Sequence, residues 1–425
     1  MFESLGCNSR ITLLLQILKL LRLNQVQAVL LQEKLDVTQK TRANIFNWRG
    51  QFTPQLIEYL LSHYSKSGDV IADPFAGSGT VLLESIVKDV SCFGFEINPA
   101  AYAMSKFYSI ANLERSTRTE ILDCLESKMI RLIQRCGSLP IFSGGETYRE
   151  QYKNLIEFTG NLFTELESRI EKVLALNMLF ISEGHKNYDL GASILVSFNQ
   201  IKKFALSLPF TTRPVSAHLG DARTIHLRCP SPPSLIITSP PYINVFNYHQ
   251  NHRAILEAIG WNMLSVAQSE FGANRKNRGN RFKTVIQYCL DMEQALSSFW
   301  QCLQKNGLVV IVIGRESNVR SSPFYNGRIV KEIMLSMGGF ESVSDHERTF
   351  TNKFGAKIKE DIIIARKIAR ASDKVVGRDV AVEHLKTALK SAALNVKNDI
   401  VDAVSNASSV IPSPLFTVKE ALRHA

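Results

Sequence analysis

The seven cysteines of this 425-residue chain (Cys7, Cys92, Cys124, Cys136, Cys229, Cys289 and Cys302) are odd in number, scattered, and include no C-x-x-C pair. That pattern argues against a disulfide framework and against a zinc site, and it fits a reducing cytoplasm. Long apolar runs are missing too. A membrane span needs about 20 apolar residues, whereas the stretch Ile11 to Leu18 contains Gln16 and is bounded by Lys19 and Arg22. With no convincing small-residue cleavage site nearby, it reads as an amphipathic surface helix rather than a signal peptide. The phosphate-loop pattern G-x-x-x-x-G-K-[ST] is absent, and so are internal repeats and long low-complexity tracts.

The remaining composition is that of a globular protein, 45% hydrophobic and 21% charged. Fifty Lys and Arg against 39 Asp and Glu give a formal charge of +11, which favours polyanionic partners, nucleic acid above all. Residues 1–42 read as a weakly specified helical extension. Thr53 and Pro54 make a natural N-cap and first helical residue for a helix with Leu56, Ile57, Leu60 and Leu61 on one face. Strand Val70–Asp73, a tight loop, helix Thr80–Val87, strand Ser91–Glu96 and a helix opened by Asn98-Pro99 follow, the alternation of a parallel α/β sheet.

From about 113 to 213 the rhythm turns helical. Ile121, Leu125, Met129 and Ile133 recur every four residues, as do Leu162, Leu166, Ile170 and Leu174, with Ser138–Gly145 as a loop between them. Strand-like segments then resume at Ser216–Asp221, Leu235–Thr238 and Leu308–Ile313. Phe340–Arg348 and Ile358–Arg366 look like a closing antiparallel pair, and a helical tail follows residue 368. The organisation expected is therefore an N-terminal extension (1–42), a first core part (43–112), a helical insertion (113–213), a second core part (214–367) and a C-terminal tail (368–425).

Chemistry concentrates in two motifs. Asp73-Pro74-Phe75-Ala76-Gly77-Ser78-Gly79-Thr80 follows a strand and opens a helix. Glycines there allow close backbone approach to a ligand, and the helix start offers free N–H groups. Glu96 ends the next strand, where a carboxylate can accept from both ribose hydroxyls of a nucleoside. No lysine sits at the helix start, so the ligand should carry little negative charge. S-adenosyl-L-methionine, a sulfonium nucleoside, meets that condition.

Thr238-Ser239-Pro240-Pro241-Tyr242 follows the strand Leu235–Ile237. An exocyclic base amine is a poor nucleophile because its lone pair is delocalised into the ring. Acceptors such as the Ser239 hydroxyl and the Pro240 carbonyl would favour a pyramidal nitrogen, and Pro240 and Pro241 would preorganise them. Tyr242 would stack on a base flipped out of the duplex.

With both motifs in hand, the chain resembles the DNA amino-methyltransferases of restriction-modification systems over about residues 44–110 and 214–367. The first motif looks like their cofactor loop and the second like their catalytic tetrapeptide. The resemblance implies a Rossmann-like methyltransferase core with a seven-stranded sheet whose last strand is antiparallel. It also implies double-stranded DNA as substrate and a restriction endonuclease acting on the same site as partner. A leading Ser in the tetrapeptide implies methylation of cytosine N4, and a leading Asp would imply adenine N6. The rival readings are an adenine enzyme, an RNA amino-methyltransferase and an inactive nucleic-acid-binding module. By the same resemblance Asp73 faces the methionine amino end of the cofactor, and Phe52 and Thr53 lie near the methionine moiety. Pro74, Phe75, Gly77, Ser78, Gly79 and Thr80 form the loop, and Glu96 takes the ribose. Asp221 contacts the adenine amino group or is simply a strand-end turn carboxylate. Here the cofactor loop precedes the catalytic motif, whereas in many Ser-type relatives it follows, so chain order does not locate the target-recognition region.

The stretch Asn274 to Lys283 holds five basic residues and no acid. Arg275, Lys276, Arg278 and Arg281 are suited to phosphates and base edges, against the alternative of a solvated basic loop. His249 and His252 lack the further ligands a metal needs and read as structural or DNA-contacting. Arg315 and Glu316 either shape the pocket or pair with each other.

Overall fold

The computed structural model describes residues 30–135, 148–185, 189–243, 247–272, 279–352, 355–370 and 375–422. Most of the N-terminal extension, the loop Ser138–Gly145, and Arg275, Lys276 and Arg278 lie outside the described residues. The chain runs through α1 (Gln32–Asp36), α2 (Pro54–Tyr64), β1 (Val70–Asp73), α3 (Thr80–Lys88), β2 (Ser91–Glu96) and α4 (Pro99–Phe107). Four helices follow: α5 (Arg115–Arg135), α6 (Tyr148–Glu165), α7 (Arg169–Glu183) and α8 (Leu190–Ser207). Then come β3 (Val215–Leu219), β4 (Leu235–Thr238), α9 (Arg253–Ala258), α10 (Met263–Ser269), α11 (Lys283–Cys302), β5 (Leu308–Gly314) and a hairpin of β6 (Glu316–Val319) and β7 (Ser322–Tyr325). The chain closes with α12 (Asn326–Ser336), β8 (Phe340–Thr351), β9 (Lys357–Lys367), α13 (Gly377–Ser391), α14 (Leu394–Ser405) and α15 (Val418–Ala421).

Seven strands form one sheet in the order β3-β2-β1-β4-β5-β9-β8. The first five are parallel, and β9 runs antiparallel to both β5 and β8. This is the Rossmann-like methyltransferase fold expected from the two motifs. Strand order reverses between β1 and β4, and in open α/β sheets a ligand crevice forms beyond the strand ends at such a point. Both motifs leave the sheet there.

Alternate residues of each strand feed two cores, as a period of two requires. Val310, Val312, Ile362 and Ile364 pack with α2, α3, α4 and the helices between 115 and 207. Val309, Ile311, Ile313 and Ile363 pack with α11 to α14. The helices between 115 and 207 are tied to the sheet at both ends by Arg118, 3% exposed. Its guanidinium donates to the carbonyls of Ala111 and Leu113 at the entrance and of Ala205 and Leu208 at the exit.

Three expectations change. In the extension, helix covers only Gln32–Asp36 among the described residues, and it stops at Val37, whose φ is 49°. The run Leu162, Leu166, Ile170, Leu174 is not one helix. Ser168 and Glu171 form a reciprocal capping box that starts α7 anew, so the four leucine-type residues straddle a break. Strand β3 ends at Leu219 rather than Asp221, because Asp221 accepts from the Arg223 N–H and caps a 3-10 turn, Ala222–Leu227.

Candidate active site

The ends of β1 and β4 are fastened to each other. Asp73 is 1% exposed, and its Oδ1 accepts from the Thr238 hydroxyl at 2.6 Å and from the Phe75 N–H at 3.1 Å. The Thr238 hydroxyl oxygen also accepts from that N–H at 3.2 Å. A buried carboxylate thus locks the glycine loop to the Ser-Pro-Pro-Tyr segment, which lies some 165 residues further along the chain. The next strand contributes Glu96. One oxygen accepts from the Gly77 N–H at 2.9 Å and the other from the Asn98 N–H at 2.8 Å, so the carboxylate shapes the loop and the start of α4 together. Asn98 caps α4 with its own side chain, and Pro99 fits the first helical position.

The two glycines do different things. Gly77, with φ 50°, lines the cavity. Gly79, with φ 87°, does not. A Cβ there would lie 2.8 Å from the Ser105 Cα and the Tyr108 ring, so this glycine serves helix packing rather than ligand approach. Thr53 occupies the N-cap position before Pro54, but its side chain makes no capping hydrogen bond.

A cavity of about 260 Å³ opens beyond these strand ends. Of the residues singled out in the sequence, Phe52, Pro74, Phe75, Gly77, Ser78, Thr80, Glu96, Asp221, Ser239, Pro241, Tyr242 and Arg281 line it; Asp73, Gly79 and Pro240 are buried behind its wall, and Thr53 does not line it. Asp221 meets the cavity with both oxygens occupied: they accept from the Arg223 N–H, Nε and Nη2 and from the Phe416 N–H. That is the geometry of the strand-end turn reading, extended to hold the C-terminal segment. Arg315 pairs with Glu347 and Asp361 rather than with Glu316.

The sequence did not reveal the rest of the wall. Trp48 stacks on Tyr248 with ring centroids 5.8 Å apart, and Gln51 accepts from the Ser78 hydroxyl at 2.8 Å. Glu270 accepts from the His249 N–H at 2.8 Å, with His249 Nδ1 3.0 Å from its other oxygen, and Phe271 meets Phe75 edge-on. An aromatic just before α2 was a visible signal for Trp48, but no motif marked Glu270. His249 is thereby a buried structural partner. Among the described residues no cluster of His, Cys, Asp and Glu could hold a metal ion, and no helix is long and apolar enough to cross a membrane.

Charge is graded through the cavity. Its inner wall carries Glu96 and Glu270, while Arg49 and Arg281 are exposed at its rim. Burial pushes the Asp73 and Glu96 carboxyls up to about 7. An acidic interior that disfavours its own negative charge suits a cationic ligand, and a basic rim suits a polyanion.

Residues 24–107 match the DNA methylase family. The chain is similar to the Type II methyltransferase M.MjaII of Methanocaldococcus jannaschii, 42% identical over 55 residues, which are 13% of this chain and 10% of that protein. It therefore spans about a tenth of the length of this curated relative. Among solved structures, TrmN from Thermus thermophilus is similar with a TM-score of 0.31 and 13% identity, over 75% of this chain and 50% of that one. A SAM-dependent methyltransferase from Methanosarcina mazei is similar with a TM-score of 0.32 and 10% identity, over 73% and 98%. The family match contains the glycine loop and Glu96.

The cavity fits the cofactor expected from the two sequence motifs, S-adenosylmethionine: Glu96 and Glu270 on its inner wall, an open glycine loop and no phosphate-binding lysine. The raised carboxyls make a pH prediction. Between about pH 4 and 7 the folded chain holds protons that the unfolded chain has released, so these groups stabilise the cofactor-free fold at low pH and lose that contribution as pH rises through 7. A cation binds the ionised form better, so cofactor affinity should rise with pH over the same window and level off above it. Calorimetric titration from pH 5.5 to 8.5 checks this. A flat profile without proton release would remove Glu96, the raised carboxyl that lines the cavity, from the linkage.

Proposed function

We propose that this protein transfers a methyl group from S-adenosylmethionine to the exocyclic N4 amino group of cytosine in double-stranded DNA, as the modification enzyme of a restriction-modification system. The observation that carries the reading is the 2.6 Å bond between Thr238 and Asp73, because it fixes Ser239, Pro241 and Tyr242 on the same cavity as the cofactor loop and Glu96.

When bound, the cofactor supplies an electrophilic methyl group. The chain's own residues do the rest. Glu96 and the loop from Pro74 to Ser78 hold the nucleoside end, with Phe52 toward the methionine end and Asp73 behind the wall fixing the loop to Thr238. Ser239, on the cavity wall, accepts an amine hydrogen, so that the nitrogen lone pair is less shared with the ring, and the buried Pro240 holds that segment in place. Tyr242 gives the base a flat surface, and the stacked Trp48 and Tyr248 exclude water. No strong general base is required, because the amine proton is lost once nitrogen has become cationic.

Arg281 sits at the rim, Arg275, Lys276 and Arg278 precede it closely in the sequence, and these four residues are assigned to the phosphate backbone. Each phosphate contact removed should lower the log–log salt slope of DNA binding by about 0.9. The combined Ala variant of these four residues should therefore show a flatter salt dependence in an anisotropy titration. An unchanged slope would move the DNA contact elsewhere.

Transfer of tritiated methyl groups to separate DNA and RNA pools tests the substrate class. Label in unmethylated double-stranded DNA alone is expected. Label in RNA alone would favour the RNA amino-methyltransferase reading, and cofactor binding without any transfer would favour an inactive binding module.

A further inference from the structure

Strand pairing sets Gly314, the last residue of β5, opposite Glu360 on β9, and Glu360 opposite Arg348 on β8. Residues directly opposite on adjacent strands project to the same face, so the three make one row at the end of the sheet beside the cavity. The neighbouring row, Ile313, Asp361 and Glu347, projects the other way and is held by Arg315.

The Gly314 row is shaped around Tyr242. Its first position has no side chain, and the Tyr242 ring fills the gap: a Cβ on Gly314 would lie 2.5 Å from Tyr242 Cε2. Its second position, Glu360, accepts from the Tyr242 hydroxyl at 3.2 Å. Its third, Arg348, puts Nη1 3.1 Å from the other Glu360 oxygen and lies over the Phe350 ring at 4.6 Å. The Arg348 and Glu360 side chains are 2% and 12% exposed, so the hydrogen bond and the ion pair are shielded from water. Burial and the neighbouring Glu360 charge push the Tyr242 phenol up, which keeps its proton in place as a donor. The row is also braced from outside. Asp36 accepts from the Thr349 N–H at 2.7 Å, and Gln32 donates to the Glu347 carbonyl at 2.7 Å, so α1 clamps β8 on either side of Arg348.

We infer that Gly314 and Glu360 are positioning residues for Tyr242: the notch at Gly314 and the carboxylate of Glu360 hold the ring at one depth and orientation, so that a base entering the cavity meets a preset surface. The inference rests on the reading of Ser239–Tyr242 as the catalytic segment. Two fixed points determine a ring better than one. The hydroxyl bond prevents swinging about the side-chain torsions, and the glycine contact sets how far the ring can recede. A loosely held ring would still admit the base, but with the amine misplaced, and misplacement near 1 Å costs rate rather than cofactor affinity.

The test compares Glu360→Gln, Tyr242→Phe and the double variant for kcat on unmethylated DNA, with cofactor Kd and thermal midpoint measured in parallel. In Glu360→Gln the single remaining acceptor oxygen goes to the buried Arg348 guanidinium and the phenol loses its acceptor, so kcat should fall about tenfold while cofactor Kd stays within about twofold. In the Tyr242→Phe background, where the hydroxyl is gone, the same substitution should change kcat less than about twofold. A purely structural Glu360 would depress the midpoint and kcat equally in both backgrounds, and that result overturns the inference, as does wild-type kcat in Glu360→Gln. Gly314→Ala approaches the ring from the other side and supplies a second reading if Glu360→Gln fails to fold. It should lower kcat with cofactor Kd unchanged, and unaltered kcat in a folded Gly314→Ala protein also overturns the inference. Tyr242→Ala separates the two levels. Wild-type turnover in that variant defeats the catalytic reading itself, whereas a large loss there, with none in Glu360→Gln or Gly314→Ala, defeats only the positioning role.

Discussion

Tyr242→Ala should cut turnover by about a hundredfold, and cofactor affinity should stay within about threefold. Stacking of a base on an aromatic ring is worth about 1–3 kcal/mol, and the ring is the broad apolar surface that the Ser239–Tyr242 segment offers the base. The loss should fall on kcat because stacking aligns the amine, and alignment counts most where the bond forms. The substitution also leaves the Glu360 carboxylate without its phenol, so a lower thermal midpoint is expected alongside. Ser239→Ala should cost less, about tenfold, because water can replace the lost hydroxyl as an acceptor and the Tyr242 surface remains. Single-turnover transfer at saturating cofactor, with calorimetric Kd values for both variants, reads these effects. Equal collapse of turnover and cofactor binding would point to misfolding or a shared binding role. Wild-type rates in both variants would sink the catalytic assignment.

Glu96→Ala should weaken S-adenosylmethionine binding by about 1.5–3 kcal/mol, roughly 10- to 150-fold. Two losses act together. The ribose hydroxyls lose a charged acceptor, and the Gly77 and Asn98 N–H groups lose the carboxylate that holds the loop open. Glu96→Gln should fall between Ala and wild type, because its carbonyl can still accept from one backbone donor while its amide repels the other. With the raised carboxyl removed, the rise of affinity with pH should also become shallower in Glu96→Ala. A titration that returns the wild-type Kd in a folded variant would take Glu96 out of the site.

The parts of this molecule that were legible in its sequence are those that local chemistry punctuates. Strand β1 is bounded by Gly68-Asp69 and Asp73-Pro74, and β2 runs into Glu96 and the Asn98-Pro99 helix start, so each could be read from a few adjacent residues. Strand β5 and the closing pair β8–β9 were legible for a related reason, as apolar or alternating runs with polar ends. Helix α11 was not. It is buried between the sheet and α13, and its polar positions Thr284, Gln287, Asp291 and Ser298 are buried along with its apolar stripe of Val285, Cys289, Met292, Leu296 and Phe299, so polarity along the sequence does not tell its covered face from an exposed one. The break between α6 and α7 was hidden because the four-residue spacing of leucines continued across a capping box.

The site divides in the same way. Its two motifs were legible because each is a contiguous run that departs from an ordinary turn. Their joining through Thr238 and Asp73, the seat of Tyr242 on Gly314 and Glu360, and the Glu270 wall all depend on residues far apart in the chain, brought together by strand order alone. Asp221 shows the opposite hazard: a motif-like acid whose oxygens the fold has already filled with Arg223 and the Phe416 N–H.

The central claim is tested most directly by mass spectrometry of nucleosides from DNA methylated in vitro. N4-methylcytosine is the expected product. The preference for cytosine comes from the resemblance in which Ser, rather than Asp, leads Pro-Pro-Tyr, since both cytosine and adenine offer an amine beside a ring acceptor. N6-methyladenine as the only product would contradict the base assignment and leave amino methylation standing. 5-Methylcytosine would contradict both, because carbon methylation needs a cysteine nucleophile, and Ser239-Pro240-Pro241-Tyr242 has none.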